Sequence, residues 1–163
     1  GVAMQLGFVS AIVPDLCLEE TLALAAEEGF GCVELMCWPR GKADRRYAGV
    51  THLDVADFTA RQADAVRDLT RIHGVGVGGL GYYPNPLDPD PAHRKAVADH
   101  LVKVVLAAKL CGVPVVNTFI GRDPARTVED NLAMVPDVWG PIVAEAKAAG
   151  VKIGIEHCPM LFS

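Results

Sequence analysis

Three polar side chains fall within or at the end of apolar, strand-like runs, where an enzyme site could form. Glu34 interrupts the run 32–37, Asn117 lies in the run 113–120, and Glu156 ends the run 151–156. In folds built from parallel strands, active sites lie at the carboxyl ends of the strands. A carboxylate there can serve as a general base or a metal ligand, and an amide can bind a substrate hydroxyl. These three residues are therefore the first candidates for a site.

The alternation of side chains along each run predicts where the two carboxylates point. Glu156 is in phase with Gly154 and out of phase with Ile155, so the β-branched face should meet helices and Glu156 the interior. A carboxylate in such an interior is costly unless a metal, a cation or hydrogen bonds compensate it. We therefore predict that Glu156 is a site residue, with a surface acid at a frayed strand end as the alternative. Glu34, out of phase with Leu35, is predicted as a second catalytic acid, with an internal salt bridge as the alternative.

Aromatic residues just past the strand ends suggest a sugar pocket, because the C–H faces of sugars pack on aromatic rings. We predict that Trp38, Tyr82 and Asn117 bind substrate. The alternatives are loop packing for the two aromatic residues and backbone hydrogen bonding for Asn117. His157 adjoins Glu156 but should point to the opposite face of the strand, so it is not predicted as a ligand.

The elements that must position these residues alternate regularly along the chain. Strand-like apolar runs cover residues 5–13, 32–37, 75–80, 113–120 and 151–156, and helical patterns cover residues 19–28, 55–73, 93–111 and 127–149. Pro136 and Pro141 should kink or split the last of these helices. Strands separated by helices indicate parallel pairing with right-handed crossovers, and so an α/β fold of the pattern (βα)4β.

Two α/β architectures fit this pattern, a doubly wound open sheet and a (β/α)8 barrel. The glycine-rich run 76–81 lies within a strand instead of opening a helix, so it is a weak dinucleotide motif and indicates close backbone packing. This favours the barrel, which takes about 250 residues or more. The chain has 163 residues, and its last strand-like run should hand over to a further helix. We therefore predict a single α/β domain over residues 1–163 that is the N-terminal, first (βα)4β portion of a TIM barrel.

Composition narrows the classes of partner. The formal net charge is −5 and the cations are scattered, which argues against a nucleic-acid or anionic-membrane partner. No run reaches the roughly 18 apolar residues of a membrane span. Five cysteines, an odd number without CxxC spacing, favour a reducing cytoplasm. No basic region precedes an apolar stretch near residue 1, so no signal peptide is predicted.

Three segments in order resemble the sugar phosphate isomerase/epimerase family, the xylose-isomerase-like barrels. They are Val33-Glu34-Leu35, residues 112–121 and residues 153–160, and the similarity runs from the first strand through the fifth. The resemblance implies a (β/α)8 barrel that binds a divalent cation, Mn²⁺ or Mg²⁺ first, with Co²⁺ or Zn²⁺ as alternatives. In such barrels Glu, Asp, His and Glu from strands five to eight hold the cation. Glu156 matches the first of these ligands, and the other three would fall beyond Ser163.

The resemblance also implies an activity. In the epimerases of this family the glutamate that Glu156 matches exchanges a proton with the substrate carbon, and Glu34 matches a strand-two acid near the substrate. The chain is therefore expected to be a metal-dependent isomerase or epimerase that acts on a sugar or sugar phosphate through an enediolate. Such chemistry needs a cation that stabilises the enediolate and a carboxylate that removes and returns the proton.

Three other functions remain as alternatives. The same enolisation would allow dehydration of a keto-polyol. An endonuclease acting at abasic DNA sites shares the barrel, but the acidic balance and the lack of histidine after strands three and four count against it. A non-catalytic half-barrel or subunit fragment is the third, because an open fifth strand favours association, as a homo-oligomer or with another chain.

Overall fold

Five parallel strands form one sheet in the computed structural model, which describes residues 3–41 and 46–157. The strands are β1 Gly7–Val9, β2 Cys32–Met36, β3 Gly76–Gly81, β4 Val115–Thr118 and β5 Lys152–Ile155. Each strand pairs with the next along the chain, in the order β1-β2-β3-β4-β5. This order has none of the reversal that defines a doubly wound sheet, and it is the order of strands in a (β/α)8 barrel.

Four α-helices connect the strands and confirm the (βα)4β pattern. They are α1 Leu18–Glu27, α2 Ala60–His73, α3 Pro91–Cys111 and α4 Val128–Ala149, and a 3-10 turn, Ser10–Ile12, follows β1. The second helix begins at Ala60 and not at residue 55, because Thr59 caps it by accepting a hydrogen bond from the Gln62 N–H at 3.3 Å. Within residues 3–41 and 46–157, no helix has the length and apolar character needed to cross a bilayer.

Two prolines lie inside α4 without dividing it, so of the two expected outcomes, a kink or a split, the split does not occur. Pro136 and Pro141 are exposed, while Trp139, Ile142 and Ala146 on the other face are buried. A proline removes one backbone N–H and leaves a carbonyl four residues earlier without its helical partner. On an exposed face water can satisfy that carbonyl, so packing of the buried face is enough to keep the helix continuous.

The main core lies between the sheet and the helices. Successive helices contact one another, α1 with α2, α2 with α3 and α3 with α4, so they form one layer over the sheet. Val33 and Leu35 of β2 face this layer and are 1 % and 0 % exposed. Glu34 lies between them and faces the opposite side of the sheet, as the alternation predicts. Strand residues that face the helix layer are thus part of the core, and those on the opposite face of the sheet are available to form a site.

Leu101 should matter most where α3 packs on the sheet. Its side chain is fully buried, so Leu101→Ala is expected to lower the free energy of unfolding by about 2–5 kcal/mol through lost burial and a cavity. Leu106→Ala in the same helix is the matched control, because Leu106 is 45 % exposed and should cost less than about 1 kcal/mol. Denaturant titration of both variants measures the difference. Equal losses would contradict the assignment of the buried face.

Candidate functional site

Glu34 is the centre of a hydrogen-bonded group on the sheet face opposite the helices. The Tyr83 hydroxyl, in the loop after β3, donates to Glu34 Oε2 at 2.7 Å. The Asn117 side-chain amide, on β4, donates to Glu34 Oε1. A half-buried carboxylate is thereby supplied with a donor on each oxygen, which offsets much of the cost of removing it from water.

Glycines on the neighbouring strands make room for this group. Glu34 pairs in register with Gly79, and Asn117 pairs with both Gly81 and Gly154. A Cβ on Gly81 would lie 2.8 Å from Glu34 Oε2 and 2.9 Å from a Tyr83 ring carbon, and a Cβ on Gly154 would overlap the Asn117 side-chain oxygen. Gly79 and Gly81 of the third strand are therefore explained by close packing against the polar side chains.

A cavity of about 460 Å³ lies at the carboxyl ends of the strands. Its described lining is mostly apolar or aromatic, with one cation and one carboxylate: Val9, Ala11, Ile12, Met36, Trp38, Arg46, Tyr47, Ala48, Tyr83, Phe119 and Glu156. Each of the five strands contributes residues from its carboxyl end or from the segment that follows it. The volume falls in the range of about 300–1,000 Å³ that is typical of small-molecule sites.

Glu156 reaches this cavity because the pairing of β5 with β4 continues past the end of the strand. Its backbone N–H donates to the Thr118 carbonyl at 2.9 Å, and its side chain is exposed and lines the cavity. Trp38 also lines the cavity. Glu34 and Asn117 line a second cavity of about 230 Å³ on the sheet, and Tyr83 joins Glu34 to the first one.

Tyr82 lies elsewhere. It is 4 % exposed and packs in the core, with its ring centroid 5.5 Å from that of Trp38 and 4.4 Å from that of His100. Burial raises the pKa of its phenol to about 12. Among the described residues that line the larger cavity, Tyr83 is present and Tyr82 is not. The structure therefore brings four of the five predicted side chains to the two cavities, and their roles stay predictions.

Tyr83 is a site residue that the sequence reasoning missed, although a signal for it existed. Leu80 is fully buried on the helix side of β3, and Tyr82 shares its phase, so the next residue faces the cavity. Burial, the hydrogen bond to Glu34 and the charges of Glu34 and Glu156 raise the pKa of the Tyr83 phenol. Tyr83 therefore stays protonated and acts as a hydrogen-bond donor between two carboxylates.

The segment after β2 closes one side of the larger cavity. The far end of this segment comes back to β2, where Thr51 forms an antiparallel bridge with Cys37. The Thr51 hydroxyl also donates a hydrogen bond to the Trp38 carbonyl at 2.8 Å. The Arg46 guanidinium lies 4.7 Å from the centre of the Tyr47 ring, and both side chains line the cavity. This segment supplies the only cationic side chain among the described lining residues.

The described residues offer one carboxylate, Glu156, to the divalent cation that the resemblance implies. Within residues 3–41 and 46–157, no group of three or more His, Cys, Asp or Glu side chains is placed to hold a metal ion. Both oxygens of Glu34 accept hydrogen bonds from protein donors. Glu156 presents a carboxylate to the cavity, a donor suited to Mn²⁺ or Mg²⁺. These residues fit one ligand of a metal site and do not form a complete set.

Gly81 should be intolerant of a side chain. Gly81→Ala places a methyl group against the Met36 terminal methyl first and against Glu34 and Tyr83 next, so we expect a loss of about 1–3 kcal/mol in the free energy of unfolding from overpacking. Gly76→Ala in the same strand is the control, since its Cβ would have only the Gly31 carbonyl oxygen nearby, at 3.7 Å. Equilibrium unfolding of the two variants gives the comparison. A Gly81→Ala protein as stable as Gly76→Ala would show that the polar group is packed differently.

The chain is similar to a known protein family and to solved structures. The family model described as a xylose isomerase-like TIM barrel matches residues 22–163. No curated protein sequence matches the chain. Solved structures do match, and the chain spans about half of their length.

Three of these structures illustrate the likeness. A xylose isomerase domain protein from Planctomyces limnophilus superposes with a TM-score of 0.67 at 14 % identity, over 94 % of this chain and 54 % of that one. D-psicose 3-epimerase from Clostridium cellulolyticum H10, solved with D-tagatose, gives 0.69 at 14 % identity, over 98 % and 54 %. An L-ribulose 3-epimerase gives 0.65 at 21 % identity, over 94 % and 49 %. Identities this low show a shared fold.

Proposed function

Since the chain belongs to the xylose isomerase-like TIM barrel family, we propose that it is part of an isomerase or epimerase that acts on a sugar or sugar phosphate through an enediolate. The family match confirms the resemblance in the sequence and the fold predicted from it, a TIM barrel represented by its first (βα)4β portion. The observation that carries the proposal is that Glu156 and Tyr83 line one cavity at the carboxyl ends of the strands, while the Tyr83 hydroxyl donates a hydrogen bond to Glu34, which lines the second cavity.

The proposed reaction begins with removal of a weakly acidic C–H proton beside a sugar carbonyl. Glu156 is the proposed base, because its carboxylate is exposed and lines the cavity. Protonation of the other face of the carbon, by a second acid from outside the described residues, would give an epimer, and return of the proton by Glu156 to the neighbouring carbon would give an isomer. A positioned carboxylate of this kind contributes about 10²–10⁴-fold to such a step.

Other cavity residues would bind and orient the sugar. We propose that Glu34 acts through Tyr83, by fixing the phenol as a donor toward a substrate oxygen. Asn117 holds the second oxygen of Glu34, and its proposed role is to keep that carboxylate in place. Trp38 offers an aromatic face in the same cavity, which suits packing against sugar C–H groups.

Metal dependence is part of the proposal. Glu156 would supply one carboxylate ligand to a divalent cation, Mn²⁺ or Mg²⁺ in preference to Co²⁺ or Zn²⁺, and the remaining ligands would come from outside the described residues. When bound, the cation would polarise the substrate carbonyl as a Lewis acid. The residues of this chain would still have to orient the sugar and move the proton.

We propose a cytoplasmic location, one domain over residues 1–163, and association through the open sheet. The described cysteines Cys17, Cys32, Cys37 and Cys111 are free thiols, which supports a reducing compartment. The core between the sheet and the helices is continuous, which supports a single domain.

Leu6 beside β1 is 72 % exposed and Ile155 in β5 is 43 % exposed, which supports contact of these two edges of the sheet with another protein surface.

Glu156→Gln tests the proposed base. We expect kcat on D-psicose, the probe ketose, to fall by about 10²–10⁴-fold, because a neutral amide cannot accept the proton. Incubation of the wild-type protein in D₂O with Mn²⁺ should incorporate deuterium at the carbon beside the carbonyl, measured by NMR, and titration calorimetry should show weaker Mn²⁺ binding by the variant.

Glu145→Gln is the matched control, because Glu145 lies on the exposed face of α4 and should leave both measurements unchanged. Turnover and Mn²⁺ binding of Glu156→Gln that equal those of Glu145→Gln would refute the assignment. Loss of water from the sugar, without formation of an epimer or isomer, would instead identify a dehydratase on the same scaffold.

A further inference from the structure

Asn85 joins the two loops that follow β3 and β4. Its side-chain oxygen accepts hydrogen bonds from the Leu87 N–H at 3.0 Å and from the Arg122 N–H at 2.9 Å. Its side-chain NH₂ donates to the Arg122 carbonyl at 2.6 Å. One amide side chain thus pairs with both backbone groups of Arg122, as a neighbouring strand would.

Both loops are shaped for this contact. Gly121 has a φ of +90°, which favours glycine, and a Cβ there would lie 2.5 Å from Asn85 Oδ1 and 2.8 Å from the Leu87 nitrogen. Asn85 stands between two prolines, which restrict its backbone, and Leu87 is fully buried and anchors the loop. The contact is therefore a fixed junction of two loops.

The junction lies close to the aromatic wall of the larger cavity. Tyr83 precedes Asn85 by two residues, and Phe119 precedes Arg122 by three. The rings of Tyr83 and Phe119 pack with their centroids 4.8 Å apart, and both line the cavity. Movement of either loop would separate these rings and shift the Tyr83 hydroxyl relative to Glu34 and Glu156.

We propose that Asn85 is a positioning residue, which locks the loops after β3 and β4 together so that Tyr83 and Phe119 form a fixed wall for the substrate. The structural part of this inference, the placement of Tyr83, is independent of the reaction. The kinetic part rests on the proposed function. Because Asn85 acts through the wall and not on the reacting atoms, its loss should weaken substrate binding more than the chemical step.

The test uses protein labelled with 3-fluorotyrosine and observed by ¹⁹F NMR. The chain has three tyrosines, so their signals can be assigned from single Tyr→Phe variants. Asn85→Ala is expected to move or broaden the Tyr83 signal most. Asn85→Asp, which keeps both acceptor bonds but sets a carboxylate oxygen against the Arg122 carbonyl, should also move the Tyr83 signal. With D-psicose as probe, Asn85→Ala should raise KM about tenfold and change kcat by less than about threefold.

Asp88→Ala is the matched control. The Asp88 carboxylate also accepts a backbone hydrogen bond within this loop, from the Asp90 N–H at 2.9 Å, without crossing to the other loop. A Tyr83 signal unmoved in Asn85→Ala, or moved as far in Asp88→Ala, would overturn the proposal. If Asn85→Ala does not fold, the Tyr83 signal of Asn85→Asp is compared with that of Asp88→Ala instead. If the Tyr83 signal moves as expected but wild-type protein shows no turnover of the sugar, the junction stands and the proposed function fails.

Discussion

The arrangement of this sheet depends on holding a carboxylate, Glu34, on the face turned away from the helices. An unpaired carboxylate in such a place would be expensive, and the hydrogen bonds from Tyr83 and Asn117 offset that cost. Space for these side chains comes from glycines on β3 and β5 that pair in register with Glu34 and Asn117. The same interactions aim the Tyr83 phenol at the cavity where Glu156 lies. The same residues therefore fill the space on this face of the sheet and position the side chains of the candidate site.

The face of the sheet on which each strand side chain lies could largely be predicted from the sequence, because successive side chains of a strand point to opposite faces. The β-branched and leucine positions of β2 face the helices, and Glu34 faces the opposite side, as its phase requires. The order of strands and helices followed from the change of hydrophobic period along the chain. The glycines of the third strand were also informative, since they do not open a helix and so indicated close packing instead of a dinucleotide loop.

Two kinds of feature could not be predicted from the sequence: an irregular pairing between strands, and contacts between residues that are far apart along the chain. The pairing of β2 with β3 shifts between Val33 and Glu34, so that Gly78 is passed over and the phase of β3 changes. No periodicity in a glycine-rich run reveals such a shift, although Leu80 and Tyr82 share one phase beyond it. The junction made by Asn85 was equally hidden, because it joins residues 37 positions apart through one side chain. The continuous fourth helix reflects packing that overrides the preference of its prolines.

A double-mutant cycle between Glu34 and Tyr83 tests the central interaction most directly. The free energy of unfolding would be measured for wild type, Glu34→Ala, Tyr83→Phe and the double variant. A hydrogen bond from a phenol to a carboxylate predicts a coupling energy of about 1.5–3 kcal/mol between the two sites. Losses that add to within about 0.3 kcal/mol would contradict this account, because they would mean that Glu34 and Tyr83 do not hold each other at the cavity.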